Sequence, residues 1–114
     1  MKLSAIAEVL NAKIVCGFEK LDLEVDFGFA SDLMSDVLTV ASDDIILITG
    51  LANMQTIRTA EMSDIGFILF VRNKKATEEM IMLAEENNIA MLECSYSMFK
   101  TCGILFNAGV KPVY

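Results

Sequence analysis

The chain has 114 residues, enough for one domain with one core, and its 54% hydrophobic content and mean hydropathy of +0.51 are high without any apolar run near the roughly 18 residues of a bilayer span. Sixteen acids against nine bases give a net charge of −7, which repels phosphate backbones and argues against a nucleic-acid partner. The sequence contains no histidine, so it lacks the residue most used as general base, nucleophile partner and zinc ligand; a non-enzyme that uses no cofactor is the expectation.

The start, Met1 to Glu8, places an acid inside what would be the apolar stretch of a signal peptide. It reads instead as an amphipathic helix from Ser4 to Leu10 that buries Leu3, Ile6, Ala7 and Leu10, in a chain expected to be cytoplasmic. Two strand-like runs follow, Lys13 to Cys16 and Leu23 to Phe29, with turns at Gly17 and Lys20 to Asp22. Ser31 or Asp32 can cap a helix that continues through Val37, Val40 and Ala41, before Ser42, Asp43 and Asp44 lead into the central strand.

The second half repeats one unit. Ile45-Ile46-Leu47-Ile48-Thr49 is a buried-strand run ending at Gly50, and Asn53 to Met62 sets Met54, Ile57 and Ala60 on one helical face. Gly66 to Val71 is the next strand, followed by a helix from Ala76 to Asn87 with Met80, Met82, Leu83 and Ala84 as its apolar contacts. The third copy runs Ile89 to Leu92, then Ser97 to Ala108 with Met98, Phe99, Cys102, Leu105 and Phe106 at spacings of three and four, closed by Gly109 and Pro112. Strands alternating with helices signal β-α-β units, so the expected fold class is α/β, a small parallel or mixed sheet flanked by helices.

Taken together, Ala30-Ser31-Asp32-Leu33-Met34-Ser35-Asp36-Val37, the run Ile46-Leu47-Ile48-Thr49-Gly50 and the spacing to Ile68-Leu69-Phe70-Val71-Arg72-Asn73 resemble the DRTGG-domain family over nearly the whole chain. The resemblance implies a single domain over residues 1–114, similar to the N-terminal domain of HPr kinase/phosphorylase, to a middle domain of some phosphate acetyltransferases and, in fold, to the N-terminal domain of the Mur ligases. It also implies a regulatory or assembly role. Where the family has Gly-Asp-Arg after the central strand, this chain has Gly50-Leu51-Ala52. For the family's Thr-Gly-Gly after the next strand it has Val71-Arg72-Asn73.

Ligands of open α/β sheets sit beyond the carboxyl ends of the strands, here Gly50 to Asn53, Arg72 to Lys75 and Cys94 to Ser97. Gly50 and Asn53 could bring backbone amides to an anion, against the plainer reading of a turn and a cap. Arg72, Asn73, Lys74 and Lys75 form the one local basic concentration, ahead of a helix whose first turn already carries Glu78 and Glu79. Ser31, Asp32, Ser35 and Asp36 would share one helix face, but two carboxylates fall short of a calcium ligand set, and no metal site is expected. Cys16, Cys94 and Cys102 are expected as free thiols without metal or disulfide, Cys102 in the core and Cys94 beside Tyr96 in a loop where a reactive thiol could be exposed.

These residues favour a non-catalytic regulatory or ligand-binding module for a small anionic metabolite or a partner protein. A structural or scaffold subunit with a degenerate ligand site is the alternative, and an enzyme built on Asp32 and Asp36 finds no further support in the chain. The apolar surplus also predicts a homo-oligomer, most simply a dimer.

Overall fold

The computed structural model describes residues 1–40 and 44–114, and these described residues form five helices and six strands. They follow in the order α1 (Leu3–Val9), β1 (Lys13–Cys16), β2 (Phe27–Ala30), α2 (Met34–Val37), β3 (Ile45–Thr49), α3 (Met54–Met62), β4 (Phe67–Phe70), α4 (Glu78–Glu86), β5 (Ala90–Glu93), α5 (Met98–Asn107) and β6 (Lys111–Pro112). A 3₁₀ turn, Phe18–Lys20, follows β1. The strands make one mixed sheet in the order β1-β5-β4-β3-β2-β6, parallel throughout except for β1, which runs antiparallel to β5. No described helix is long and apolar enough to cross a membrane.

Central strands covered on both faces read as continuous apolar runs, and every residue of β3, β4 and β5 is buried. Alternation along each strand sends Ile46, Ile48, Leu69 and Leu92 to a core shared with α1 and α5, and Leu47, Ile68, Phe70 and Met91 to a core shared with α2, α3 and α4. The connections β2-α2-β3, β3-α3-β4 and β4-α4-β5 therefore advance across one face of the sheet. Helix α5 crosses the other face, over β2 and β3, to deliver β6 to the far edge. Gly17, at φ 84°, lets β1 turn where a Cβ would stand 2.5 Å from the Ala90 Cα.

Several expectations need correction. The second strand is shorter than Leu23 to Phe29, beginning only at Phe27. Helix α2 is a single turn whose N-cap is Leu33, with no side-chain cap, so neither Ser31 nor Asp32 caps it, and Asp32 and Asp36 do not share a helix face. Ala41, Ser42 and Asp43, expected to end that helix and enter the central strand, lie outside the described residues. On α5 the buried positions are Thr101 and Leu105; Cys102 is half-buried, while Phe99 and Phe106 are 90% and 66% exposed. Met82 of α4 likewise points outward. Strand β6 has no local signal in the sequence, where Pro112 reads only as a helix terminator.

Candidate functional site

The loops after β2, β3 and β4 turn toward the α2-α3-α4 face, whereas the loop after β5 turns toward α5. Neighbouring strands whose loops part to opposite faces mark the place where open α/β sheets bind ligands, and here it falls between β4 and β5. Of the three candidate loops, two border this point. Arg72, Asn73 and Lys74 follow β4, and Cys94 to Ser97 follow β5.

The two loops are stitched together by backbone. The Arg72 N–H donates to the Tyr96 carbonyl at 2.8 Å and the Asn73 N–H to the Cys94 carbonyl at 2.9 Å. Both residues take left-handed conformations, φ 57° and 63°, in the region that favours glycine. A guanidinium and a side-chain amide thus sit on a backbone shape that glycine favours.

Beneath them lies Glu93, only 6% exposed, whose carboxylate accepts the Ala76 N–H at 2.7 Å and stands 3.7 Å from the Lys75 ammonium. Lys75 is therefore partly neutralised, and Arg72 and Lys74 remain exposed without a salt bridge among the described residues. On the β5 side Lys100, in the first turn of α5, rests 4.1 Å from the centre of the Tyr96 ring. Neither Lys100 nor Glu93 stands out in the sequence. An α5 helix starting at the Ser97 cap could have flagged Lys100, one turn beyond a strand-end loop.

The other candidate residues form a separate group at the end of β3. Asp32 accepts the Gly50 N–H at 2.7 Å and the Thr49 hydroxyl at 2.9 Å, so a carboxylate of the chain itself occupies the amide that would have met an anion. Ser31 accepts the Leu33 N–H at 3.0 Å. Asn53 caps α3 through the Thr56 N–H at 3.0 Å, as the plainer reading held. This end is acidic and internally satisfied.

Cys94 is buried, its sulfur 3.6 Å from the Thr101 hydroxyl, rather than exposed in a loop. Burial pushes the Cys16 and Cys102 thiols up, and all three cysteines are free. No group of three or more metal-ligating side chains occurs among the described residues. At the opposite end of the sheet Lys20 is spent on structure, donating to the Gly66 carbonyl at 3.2 Å and lying 5.1 Å from the Phe67 ring centre. An apolar hollow of about 290 Å³ lies away from the charged loops, between α5 and the β2-β6 edge, with Phe29, Cys102, Phe106 and Tyr114 in its walls.

The family model of the DRTGG domain matches residues 5–108. Among solved structures the chain is similar to the CBS and DRTGG domains of the regulatory region of Clostridium perfringens pyrophosphatase, complexed with the activator diadenosine tetraphosphate. The TM-score is 0.77 at 17% identity, over 98% of this chain and 48% of that one. This chain thus spans about half the length of that relative. No curated protein sequence matches it.

Proposed function

The chain belongs to the DRTGG domain family, and on that footing we propose that residues 1–114 act as one non-catalytic regulatory domain in the cytoplasm that binds a small anionic metabolite between the ends of β4 and β5. The observation that carries the reading is the placement of Arg72, Lys74 and Lys100 around the point where the loops part, in a chain of net charge −7. Cations gathered there against the overall field select a ligand by charge, and Asn73 and the Tyr96 ring offer amide and aromatic contacts. The structurally similar regulatory region binds a polyanion, diadenosine tetraphosphate, which makes phosphate-bearing metabolites the first class to try. Self-association into a homodimer, expected from the apolar surplus, belongs to the same reading.

A second reading, a scaffold subunit whose ligand loops have decayed, is favoured by one set of observations. The Arg72 and Asn73 amides are consumed by the neighbouring loop, and the Gly50 amide by Asp32. Thermal melts with nucleotides, diadenosine tetraphosphate, acyl phosphates and sugar phosphates separate the two. At a hundred times its dissociation constant a ligand adds about 2.7 kcal/mol, on the order of 10 °C for a domain of this size. Arg72→Ala should abolish that shift and Asp32→Ala should leave it. If no anion stabilises the wild type, or Arg72→Ala keeps the shift, the scaffold reading takes over.

A further inference from the structure

A second hollow, about 340 Å³, lies at the amino-terminal ends of β4 and β5, lined by the amine of Lys20 and the carboxylates of Glu61 and Asp64 together with Gly66 and Asn87. These opposite charges do not pair. Among the described residues Lys20 has no salt bridge, and its Nζ makes one hydrogen bond, to the Gly66 carbonyl at 3.2 Å. The amine is nonetheless seated. An added Cβ at Gly66 would stand 2.9 Å from Nζ, so the glycine leaves the space that the amine fills, and the centre of the Phe67 ring is 5.1 Å away. Gly66 and Phe67 thus hold the head of a half-buried side chain that comes from the 3₁₀ turn, and neither neutralises it. Burial pushes the Lys20 ammonium down, and Glu19 beside it in the turn opposes that only in part. More of this lysine is therefore neutral amine, the nucleophilic form, than of an exposed one.

We propose that Lys20 is an acylation site of this domain, its ε-amine taking a small acyl group from a thioester that enters the hollow. The neutral nitrogen attacks the thioester carbonyl carbon, a C–N bond forms and the C–S bond breaks. The leaving thiolate takes the electron pair and then the proton that the nitrogen sheds, so the products are a lysine amide and a free thiol, with nothing oxidised or reduced. The hollow selects the donor. Glu19, Glu61 and Asp64 repel the anionic leaving group of an acyl phosphate, whereas a thioester carries no charge at its reacting carbon. The amide formed keeps one N–H, so the bond to the Gly66 carbonyl survives acylation. What is lost is one positive charge, from a hollow bounded by the C-terminal ends of α3 and α4, which favour cations. The site lies at the opposite end of the sheet from Arg72 and Lys74 and does not depend on anion binding there.

Treatment of the folded chain with S-acetyl-N-acetylcysteamine, a small uncharged thioester, tests this at about pH 8, below the ordinary lysine range, with peptide mass spectrometry following each lysine. Lys20 should be acetylated about fivefold or more faster than the exposed Lys13 and Lys74, and the preference should vanish in the guanidinium-unfolded chain, where burial is gone. Gly66→Ala is the geometric control. Its methyl group displaces only the flexible end of Lys20, so the variant should melt within a few degrees of wild type and acetylate Lys20 no faster than Lys13. A Lys20 rate equal to those of Lys13 and Lys74 in the folded chain overturns the proposal, as does a preference that persists on unfolding or in folded Gly66→Ala. Should the variant melt far below wild type, the folded and unfolded wild type decide the question on their own.

Discussion

Replacing Glu93 by alanine should cost the domain about 2–4 kcal/mol, a sum of two parts. The Ala76 N–H, 2.7 Å from the carboxylate, would lose a charged acceptor in a partly buried position, at about 1–3 kcal/mol. The one buried methylene that alanine lacks, on a side chain only 6% exposed, adds roughly 0.8 kcal/mol. The Lys75 pair adds little, because its ammonium is 3.7 Å away on a side chain 63% exposed to water. Glu93→Gln keeps an acceptor for Ala76 and should cost only about 1 kcal/mol, the difference between a charge-assisted and a neutral bond. Urea unfolding of the three proteins gives the magnitudes, and amide exchange at Ala76 reports the bond directly, slow in wild type and Glu93→Gln and fast in Glu93→Ala. A loss below about 1 kcal/mol in Glu93→Ala, or equal losses in the two variants, would refute the assignment of the carboxylate as an anchor of the Arg72–Lys75 loop.

Two further outcomes follow from the fold. Gly17→Ala combines a left-handed φ of 84° with a Cβ placed 2.5 Å from Ala90, so it should destabilise by about 2–4 kcal/mol in urea; a loss within about 0.5 kcal/mol would mean the turn relaxes freely. Burial, the first cause for both, holds the Cys16 and Cys102 thiols above their ordinary values, so the folded state favours the protonated form. Their contribution is intact below about pH 8.5, where the unfolded thiols are neutral, and is lost as pH rises through the folded values. Stability should therefore fall from about pH 8.5 upward, and replacing both cysteines by alanine should flatten that decline; an unchanged slope would assign it to other groups.

The sheet was largely legible in the sequence because buried parallel strands write continuous apolar runs, and Ile45 to Thr49 could hardly be anything else. Helix α2 was not. Ser31 and Asp32 have the composition of a cap, but Asp32 is taken by Thr49 and Gly50, a tertiary competition that local spacing does not record. The last helix is legible but its buried face is not, since Phe99 and Phe106 share the stripe spacing while the sheet receives Thr101 and Leu105. The basic loop was picked out from charge alone. Its position at the parting of the loops depends on α4 and α5 lying on opposite faces, which no local pattern encodes.

The pairing of β6 with β2, Phe27 opposite Lys111, has a consequence for the order in which the chain takes shape. During synthesis the four central parallel strands can assemble while the outer edge of β2, with Phe27 and Phe29, is still bare; that edge closes only when Lys111 and Pro112 emerge and α5 swings them across the sheet. Contacts so far apart in sequence form late, because the loop they close is long. A nascent or partly unfolded chain therefore passes through a stage with an open, aromatic strand edge, the template on which other strands add. Proline in the closing strand blunts the completed edge, so the hazard belongs to the assembly of this domain and is largely gone once it has folded.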